Sequence, residues 1–135
     1  MAHAQLNWTH DMQFVGRVQD GPAVVLDNPE GGSGPTPMQL VLMGVAGCTA
    51  MDVISILKKK RSPVTGMQLN IRAEQAEDHP KRYTAIAIEF VITGRNVKPG
   101  DVERAIELSA TKYCSAIGSI NAEVEYSYRI IDEAP

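Results

Sequence analysis

The chain contains two cysteines, Cys48 and Cys114, and a cysteine thiolate is both a nucleophile and a metal ligand. The two lie too far apart in sequence to form a C-x-x-C redox motif. Neither they nor the three histidines (His3, His10 and His79) have the spacing of zinc ligands, so we expect no metal. A G-x-S-x-G motif is also lacking, which disfavours a serine hydrolase.

Each cysteine has an inert interpretation beside the reactive one. Free cysteine is among the most buried residue types, so Cys48 is also consistent with a small core residue, and Cys114 with a side chain that fills space at the end of a helix. Asp52 follows Cys48 by one helical turn, on the same face. A carboxylate raises the pKa of a neighbouring thiol, and this opposes reactivity unless a cation lies close by.

Cys48 lies in the middle of a predicted helix between Thr36 and Arg61. Thr36 is a favourable N-cap, and a proline at the next position suits the start of a helix. Gln39 has the capping-box spacing from Thr36. Three lysines and Arg61 follow the apolar segment, and these cations are favourable at the negative, C-terminal end of the helix dipole. Pro63 then prevents the helix from continuing.

The segment Leu40–Leu57 is apolar or small on almost every side, which predicts a helix that is buried all round. Its length is close to the roughly 20 residues of a membrane span. Asp52 argues against a span, because a carboxylate near the centre of a bilayer costs about 2.5–3.5 kcal/mol. One small sheet covers only one side of a helix, so we expect a homodimer in which a second copy covers the rest.

The remaining segments alternate in the pattern of strands around one further helix. Pro99-Gly100-Asp101 should open this helix, and Cys114 falls at its end. The order predicts an α+β fold with a mostly antiparallel sheet. The predicted strands are Ala4–Thr9, Met12–Val18, Ala23–Asp27, Met67–Glu77, Tyr83–Thr93 and Ala122–Ile131. Tyr83–Thr93 is more uniformly apolar than the strand before it, which predicts a central position in the sheet.

Composition narrows the class of protein. The chain has 135 residues, a net charge of −3 and a pI of about 5.6, so a single domain is expected and nucleic-acid binding is not. The only basic run, Lys58–Arg61, is explained as a solvated helix end. The N-terminus has no signal-peptide pattern, which predicts a cytoplasmic protein without a membrane association.

The segment M-Q-L-V-L-M-G-V-A-G-C-T-A-M-D-V (Met38–Val53), together with Y-C-S (Tyr113–Ser115), resembles the OsmC/Ohr family of thiol peroxidases. The end of the helix, GCTAMDVISILKKKR, is similar to a particular branch of OsmC-like proteins. The resemblance extends over nearly the whole chain and implies a single OsmC-like domain over residues 1–135. It also implies an intertwined homodimer, with antiparallel sheets wrapped around a long buried central helix that carries Cys48.

The resemblance implies a function in oxidative-stress defence. Cys48 would attack an organic hydroperoxide and become a sulfenic acid, and Cys114 would condense with it to a disulfide. An external dithiol would then reduce the disulfide, and no cofactor is implied. An apolar pocket would favour alkyl hydroperoxides. The residues expected to line it are Phe14, Met43, Met51 and Ile54.

Two positions depart from the family pattern. The family has a catalytic glutamate nine residues before the peroxidatic cysteine, where this chain has Gln39. That glutamate holds an arginine that activates the thiol. The only candidate here is Arg17 in the N-terminal hairpin, where the local match to the family is loose and an ordinary surface arginine on a strand is an equally good explanation. Gln39 can bind an arginine only through a weaker neutral hydrogen bond, and a capping role alone would explain it. The alternative function is therefore a non-catalytic OsmC-like module that binds a small apolar or thiol ligand at the dimer interface.

Overall fold

The computed structural model describes residues 1–133, which form two compact units, Met1–Met43 and the chain from Gly44 onward. The N-terminal unit contains a three-stranded antiparallel sheet in which β2 is central. Its strands are β1 (Ala4–His10), β2 (Gln13–Val18) and β3 (Ala23–Leu26). Asp11 and Asp20 adopt left-handed conformations in the two turns, with φ of 47° and 54°, and aspartate tolerates this region better than most residues.

The loop after β3 is ordered by the buried carboxylate of Asp27. This carboxylate accepts hydrogen bonds from the backbone N–H of Asn28 and from both the N–H and the hydroxyl of Ser33. The Ser33 hydroxyl is the leading cause that holds the pKa of Asp27 below its ordinary value. The loop therefore has defined hydrogen bonds at the point where it enters the long helix.

Helix α1 (Pro37–Lys59) begins as the sequence predicts. The Thr36 hydroxyl accepts from the Gln39 N–H at 3.2 Å, and Gln39 Oε1 accepts from the Thr36 N–H at 3.0 Å, which completes a capping box. The helix ends with Arg61 in the left-handed conformation, and the Ser62 N–H bonds back to the Leu57 carbonyl. This is the Schellman arrangement, which satisfies carbonyls in the last turn.

The second unit contains a three-stranded sheet in the order β4-β5-β6, with β5 central as predicted. The strands are β4 (Val64–Gln75), β5 (Tyr83–Gly94) and β6 (Glu123–Asp132). β4 and β5 are antiparallel, but β6 is parallel to β5, so the expectation of antiparallel sheets is wrong for this pair. A parallel pair needs a long crossover connection, and the segment between β5 and β6 supplies it.

The crossover consists of three short helical pieces. Helix α2 (Pro99–Leu108) is followed by a single π-helical turn (Ser109–Tyr113) and by the four-residue helix α3 (Ser115–Gly118). Val102, Ala105 and Ile106 form the buried face of α2. Cys114 stands between the π-helical turn and α3, just past the end of the second helix as expected.

Helix α1 is not buried all round within one chain. Its buried residues follow helical spacing on one face: Val45, Ala46, Thr49, Val53 and Leu57. Elsewhere on the helix Val41, Met43 and Met51 are 43%, 48% and 74% exposed. By length and composition alone α1 could cross a membrane, but the core helix of a soluble protein passes the same test. The single chain thus covers one side of α1 and leaves large apolar side chains uncovered.

Candidate functional site

Cys48 occupies the middle of α1 at the edge of its buried face. Its neighbour Thr49 is fully buried, whereas Cys48 itself is half-buried. Asp52 is one turn further along the same side of the helix, as residues four apart must be. The regular geometry of α1 therefore presents a thiol and a carboxylate together.

Cys114 comes from the crossover and is buried, at 7% exposure. Its backbone is extended (φ −73°, ψ 103°), which makes it the N-cap of α3. The Cys114 sulfur accepts a hydrogen bond from the backbone N–H of Ile117 at 3.4 Å. In this position a side chain that accepts hydrogen bonds is stabilised by the N-terminus of the helix.

The fold brings these residues together into one cluster. Cys48 Sγ, Cys114 Sγ and a carboxylate oxygen of Asp52 all lie within 4.8 Å of one another. The Ser109 hydroxyl, which is fully buried, donates to Asp52 Oδ2 at 2.9 Å. The π-helical turn begins at Ser109 and leads to Cys114, so this segment supplies both the partner of the carboxylate and the second thiol.

Thr49 connects the two cysteines. Its hydroxyl donates to the Val45 carbonyl at 3.0 Å and lies 3.4 Å from Cys114 Sγ. Since a hydroxyl has only one proton, a Thr49 that donates to Val45 can only accept from the Cys114 thiol. The hydroxyl could turn toward the sulfur once Cys114 has lost its proton.

Burial is the main cause that raises the pKa of the Cys114 thiol. The Thr49 hydroxyl, when it turns toward the deprotonated sulfur, and the Ile117 N–H work in the opposite direction, because both donate to the thiolate, and the proximity of Cys48 raises the pKa further. Cys114 also affects the pKa of Tyr126 on β6. Its pKa is raised first by burial and then by charge on Cys114, and its buried hydroxyl has no hydrogen-bond partner among the described residues.

The other two predicted site residues belong to the N-terminal unit. Arg17 is exposed on β2, opposite Gln5 of β1 and Ala23 of β3. Gln39 is held by the capping box at the start of α1 through its side-chain oxygen, and its side-chain nitrogen is not part of that box. The roles of Arg17 and Gln39 at Cys48 stay predictions.

The residues expected to line an apolar pocket have different environments. Phe14 lines an almost wholly apolar cavity of about 400 Å³ in the N-terminal unit, together with Leu6 and Met12 among others. Ile54 is half-buried on α1, whereas Met43 and Met51 are exposed on that helix. A common pocket for these four residues therefore stays a prediction.

A comparison with protein families settles the membership of the chain. The family model described as OsmC-like protein matches residues 30–129, which include both cysteines and most of the secondary structure. The chain belongs to the OsmC-like protein family. The predicted OsmC/Ohr membership is thereby confirmed.

Individual relatives and solved structures are similar to almost the whole chain. Protein YhfA of Escherichia coli strain K12 is 36% identical over 130 residues, which cover 95% of this chain and 97% of YhfA. The crystal structure of a hypothetical protein from Aquifex aeolicus VF5 is 27% identical, with a TM-score of 0.89 over 99% of this chain and 98% of that one. An organic hydroperoxide resistance protein OsmC from Legionella pneumophila is 16% identical, with a TM-score of 0.66 and 96% coverage of each chain. The Legionella likeness shows that the α+β fold is shared.

Reasoning from the sequence missed three polar residues of this OsmC-like site. Thr49 and Ser109 look like parts of apolar helical faces, and Tyr126 looks like one residue of an alternating strand. The only indication in the sequence concerned Thr49, which directly follows Cys48. The contacts of Ser109 and Tyr126 depend on the crossover between β5 and β6, which the pattern alone does not specify.

Proposed function

We propose that this OsmC-like protein reduces organic hydroperoxides through a two-cysteine mechanism and acts in oxidative-stress defence. The observation that carries the proposal is that the Cys48 and Cys114 sulfurs lie within 4.8 Å of each other, although they come from separate helical elements. A disulfide has an S–S distance of about 2.05 Å, so an approach of less than about 3 Å would join them.

The chemistry needs only the two thiols, the hydroperoxide and an external dithiol. The Cys48 thiolate attacks the O–O bond, so that the sulfur becomes a sulfenic acid and the alkoxide leaves and is protonated to an alcohol. Cys114 then attacks the Cys48 sulfur, a disulfide forms, and the hydroxyl group of the sulfenic acid leaves as water with the Cys114 proton. The dithiol reduces the disulfide by thiol–disulfide exchange.

The different environments of the two thiols support this division of roles. Cys48 is half-buried, so a substrate can reach it, whereas Cys114 is buried and burial raises its pKa. A resolving thiol that stays protonated until the sulfenic acid forms does not compete for the hydroperoxide. Ser109 and Thr49 fix the surroundings of the pair through Asp52 and Cys114.

Activation of Cys48 is assigned to Arg17, with Gln39 as the residue that orients the guanidinium. These roles follow from the family resemblance, and the capping box uses the side-chain oxygen of Gln39 and not its side-chain nitrogen. The resemblance also implies an apolar pocket, which would favour an alkyl hydroperoxide over hydrogen peroxide as the substrate.

A homodimer completes the proposal. Met51 is 74% exposed and Met43 is 48% exposed, and apolar side chains on one helix at this level of exposure suggest an interface. A second copy of the chain would cover them, in agreement with the family resemblance. We propose a cytoplasmic location, where the external dithiol would be available.

The test is a titration of free thiols before and after one equivalent of cumene hydroperoxide. We expect rapid loss of both thiols in the reduced wild-type protein. Cys48→Ser should keep its remaining thiol, and Cys114→Ser should accumulate a sulfenic acid that a dimedone-type reagent traps. The same titration with hydrogen peroxide should be slower.

Thiols that oxidise no faster than free cysteine would contradict the proposal. The same protein would then be tested as the alternative, a non-catalytic module for a small apolar or thiol ligand. Rapid loss of the one remaining thiol, Cys114, in Cys48→Ser would contradict the assigned roles while leaving thiol chemistry at the site.

A further inference from the structure

We infer that Cys48, Asp52 and Cys114 form a binding site for a borderline-soft divalent cation, of which Zn²⁺ is the typical case, when both cysteines are reduced. This inference does not depend on the proposed peroxidase activity. It rests on three ligand atoms within one compact unit that lie within 4.8 Å of one another.

The three ligand atoms are almost as close to one another as they would be around a bound Zn²⁺ ion. Zn–S bonds of about 2.3 Å and Zn–O bonds of about 2.1 Å place the ligand atoms of a tetrahedral site roughly 3.6–3.8 Å apart. The cluster would have to close by about 1 Å to reach these separations. Cys48 and Asp52 are one turn apart on α1, and Cys114 is the N-cap of a short helix, so rotation about the side-chain bonds is the movement that would close the cluster.

Each ligand is supported by a second contact. Ser109 donates to Oδ2 of Asp52 at 2.9 Å, which leaves Oδ1 free to coordinate. The Ile117 N–H points at Cys114 Sγ at 3.4 Å and would stabilise a metal-bound thiolate. Outer contacts of this kind orient metal ligands and strengthen binding.

The charge of the cluster favours a cation. Two thiolates and a carboxylate held within this distance would repel one another unless a cation lies among them. A divalent cation reverses this effect, because the same carboxylate becomes a ligand. Two sulfur donors select Zn²⁺ and similar ions over Mg²⁺ and Ca²⁺, which prefer sites made only of oxygen.

The site would exist only in the reduced protein. A disulfide between Cys48 and Cys114 removes both thiolate donors and leaves Asp52 as a single carboxylate. Three protein ligands leave the fourth tetrahedral position for water or another small ligand.

The experiment is an anaerobic titration of reduced, chelator-treated protein with Cd²⁺, followed by the thiolate-to-metal charge-transfer absorption. Zn²⁺ affinity is measured in competition with a chromophoric chelator. We expect one ion per chain, with loss of the charge-transfer signal in Cys48→Ser and Cys114→Ser and after oxidation with diamide. Asp52→Asn can still accept from Ser109, and we expect it to weaken Zn²⁺ binding about tenfold or more.

Glu107→Gln is the matched control, since Glu107 is an exposed carboxylate on α2 outside the cluster, and its affinity should equal that of the wild type. Circular dichroism confirms that each variant is folded. Equal Zn²⁺ affinity for Asp52→Asn and wild type would overturn the inference, as would a signal that survives diamide. No hydroperoxide is present, so failure of the peroxidase proposal would leave this result unaffected.

Discussion

Gly44 on α1 offers a direct test of whether a second copy covers the exposed side of the helix. Gly44 is exposed, and a Cβ added to it would meet nothing within 4 Å in its own chain. Met51 lies seven residues further on, along the same side of the helix, and is 74% exposed. The perturbations are Gly44→Ala and Gly44→Leu.

Whether the Gly44 variants raise or lower the free energy of unfolding depends on what covers this side of α1. Glycine within a helix is about 1 kcal/mol less favourable than alanine, and leucine is nearly as good as alanine. On a solvent-exposed side, both substitutions of Gly44 should therefore raise the free energy of unfolding by about 1 kcal/mol. Against a closely packed second copy, added atoms cost roughly 1–3 kcal/mol at each site, and a twofold dimer has two such sites. We expect alanine to be neutral or destabilising and leucine to dissociate the dimer.

The assay combines sedimentation equilibrium with urea unfolding at several protein concentrations. The wild type should be a dimer whose unfolding midpoint rises with concentration, because association stabilises the folded state. Gly44→Leu should be monomeric, with a midpoint that is lower and independent of concentration. Gly100→Ala is the control, because Gly100 is an exposed helical glycine outside α1 that also has nothing within 4 Å.

Coverage of α1 by a second copy is refuted if both Gly44 variants are more stable than the wild type by about 1 kcal/mol and their unfolding midpoints do not depend on protein concentration. In that case the exposed side of α1 faces solvent, and the homodimer proposal is wrong. A wild-type protein that sediments as a monomer would refute the proposal without any variant.

Three further predictions concern the site. Burial raises the pKa of Cys114, so the folded state holds this proton more tightly than the unfolded state. The free energy of unfolding of reduced, chelator-treated protein should therefore fall as the pH rises past the thiol's ordinary pKa of 9.0. Urea titrations across pH should show that Cys114→Ser lacks this contribution. Gln39→Glu retains the capping oxygen and adds a negative charge to the first turn, so it should stabilise the protein by roughly 0.3–1 kcal/mol and accelerate oxidation of Cys48 by cumene hydroperoxide; greater stability without faster oxidation would leave Gln39 with only a capping role. Thr49→Val removes a buried hydroxyl with little change in volume, so it should lower the free energy of unfolding by about 1 kcal/mol. It should also slow disulfide formation in stopped-flow measurements, whereas Thr49→Ser should react like the wild type.

Features that depend on neighbouring residues were predictable from the sequence. The capping box of Thr36 and Gln39 was predicted because its partners are three residues apart, and its hydrogen bonds are as expected. Alternation identified β5 as a strand, and its more uniformly apolar sequence predicted its central position. These signals are local, so the sequence carries them without knowledge of the fold.

Features that depend on the crossover were not predictable. The direction of β6 follows from the path of α2 and α3, and alternation is the same in parallel and antiparallel strands. The hydrogen bond from Ser109 to Asp52 joins residues that are 57 positions apart, and a serine on an apolar helical face gives no indication of its partner. The partial exposure of α1 was not predictable either, because an apolar composition indicates burial but not which sides of the helix its own chain covers.

The position of Cys114 as the N-cap of α3 links the order of a short helix to the state of one sulfur. The Ile117 amide donates to that sulfur, and a four-residue helix has few other bonds to hold its first turn. When the sulfur changes its bonding partner, the Ile117 amide loses its acceptor or gains a stronger one. The hydrogen-exchange rate and the chemical shift of this single amide would therefore serve as a built-in NMR reporter, one that follows the chemistry of the cluster from the backbone without a label on either thiol.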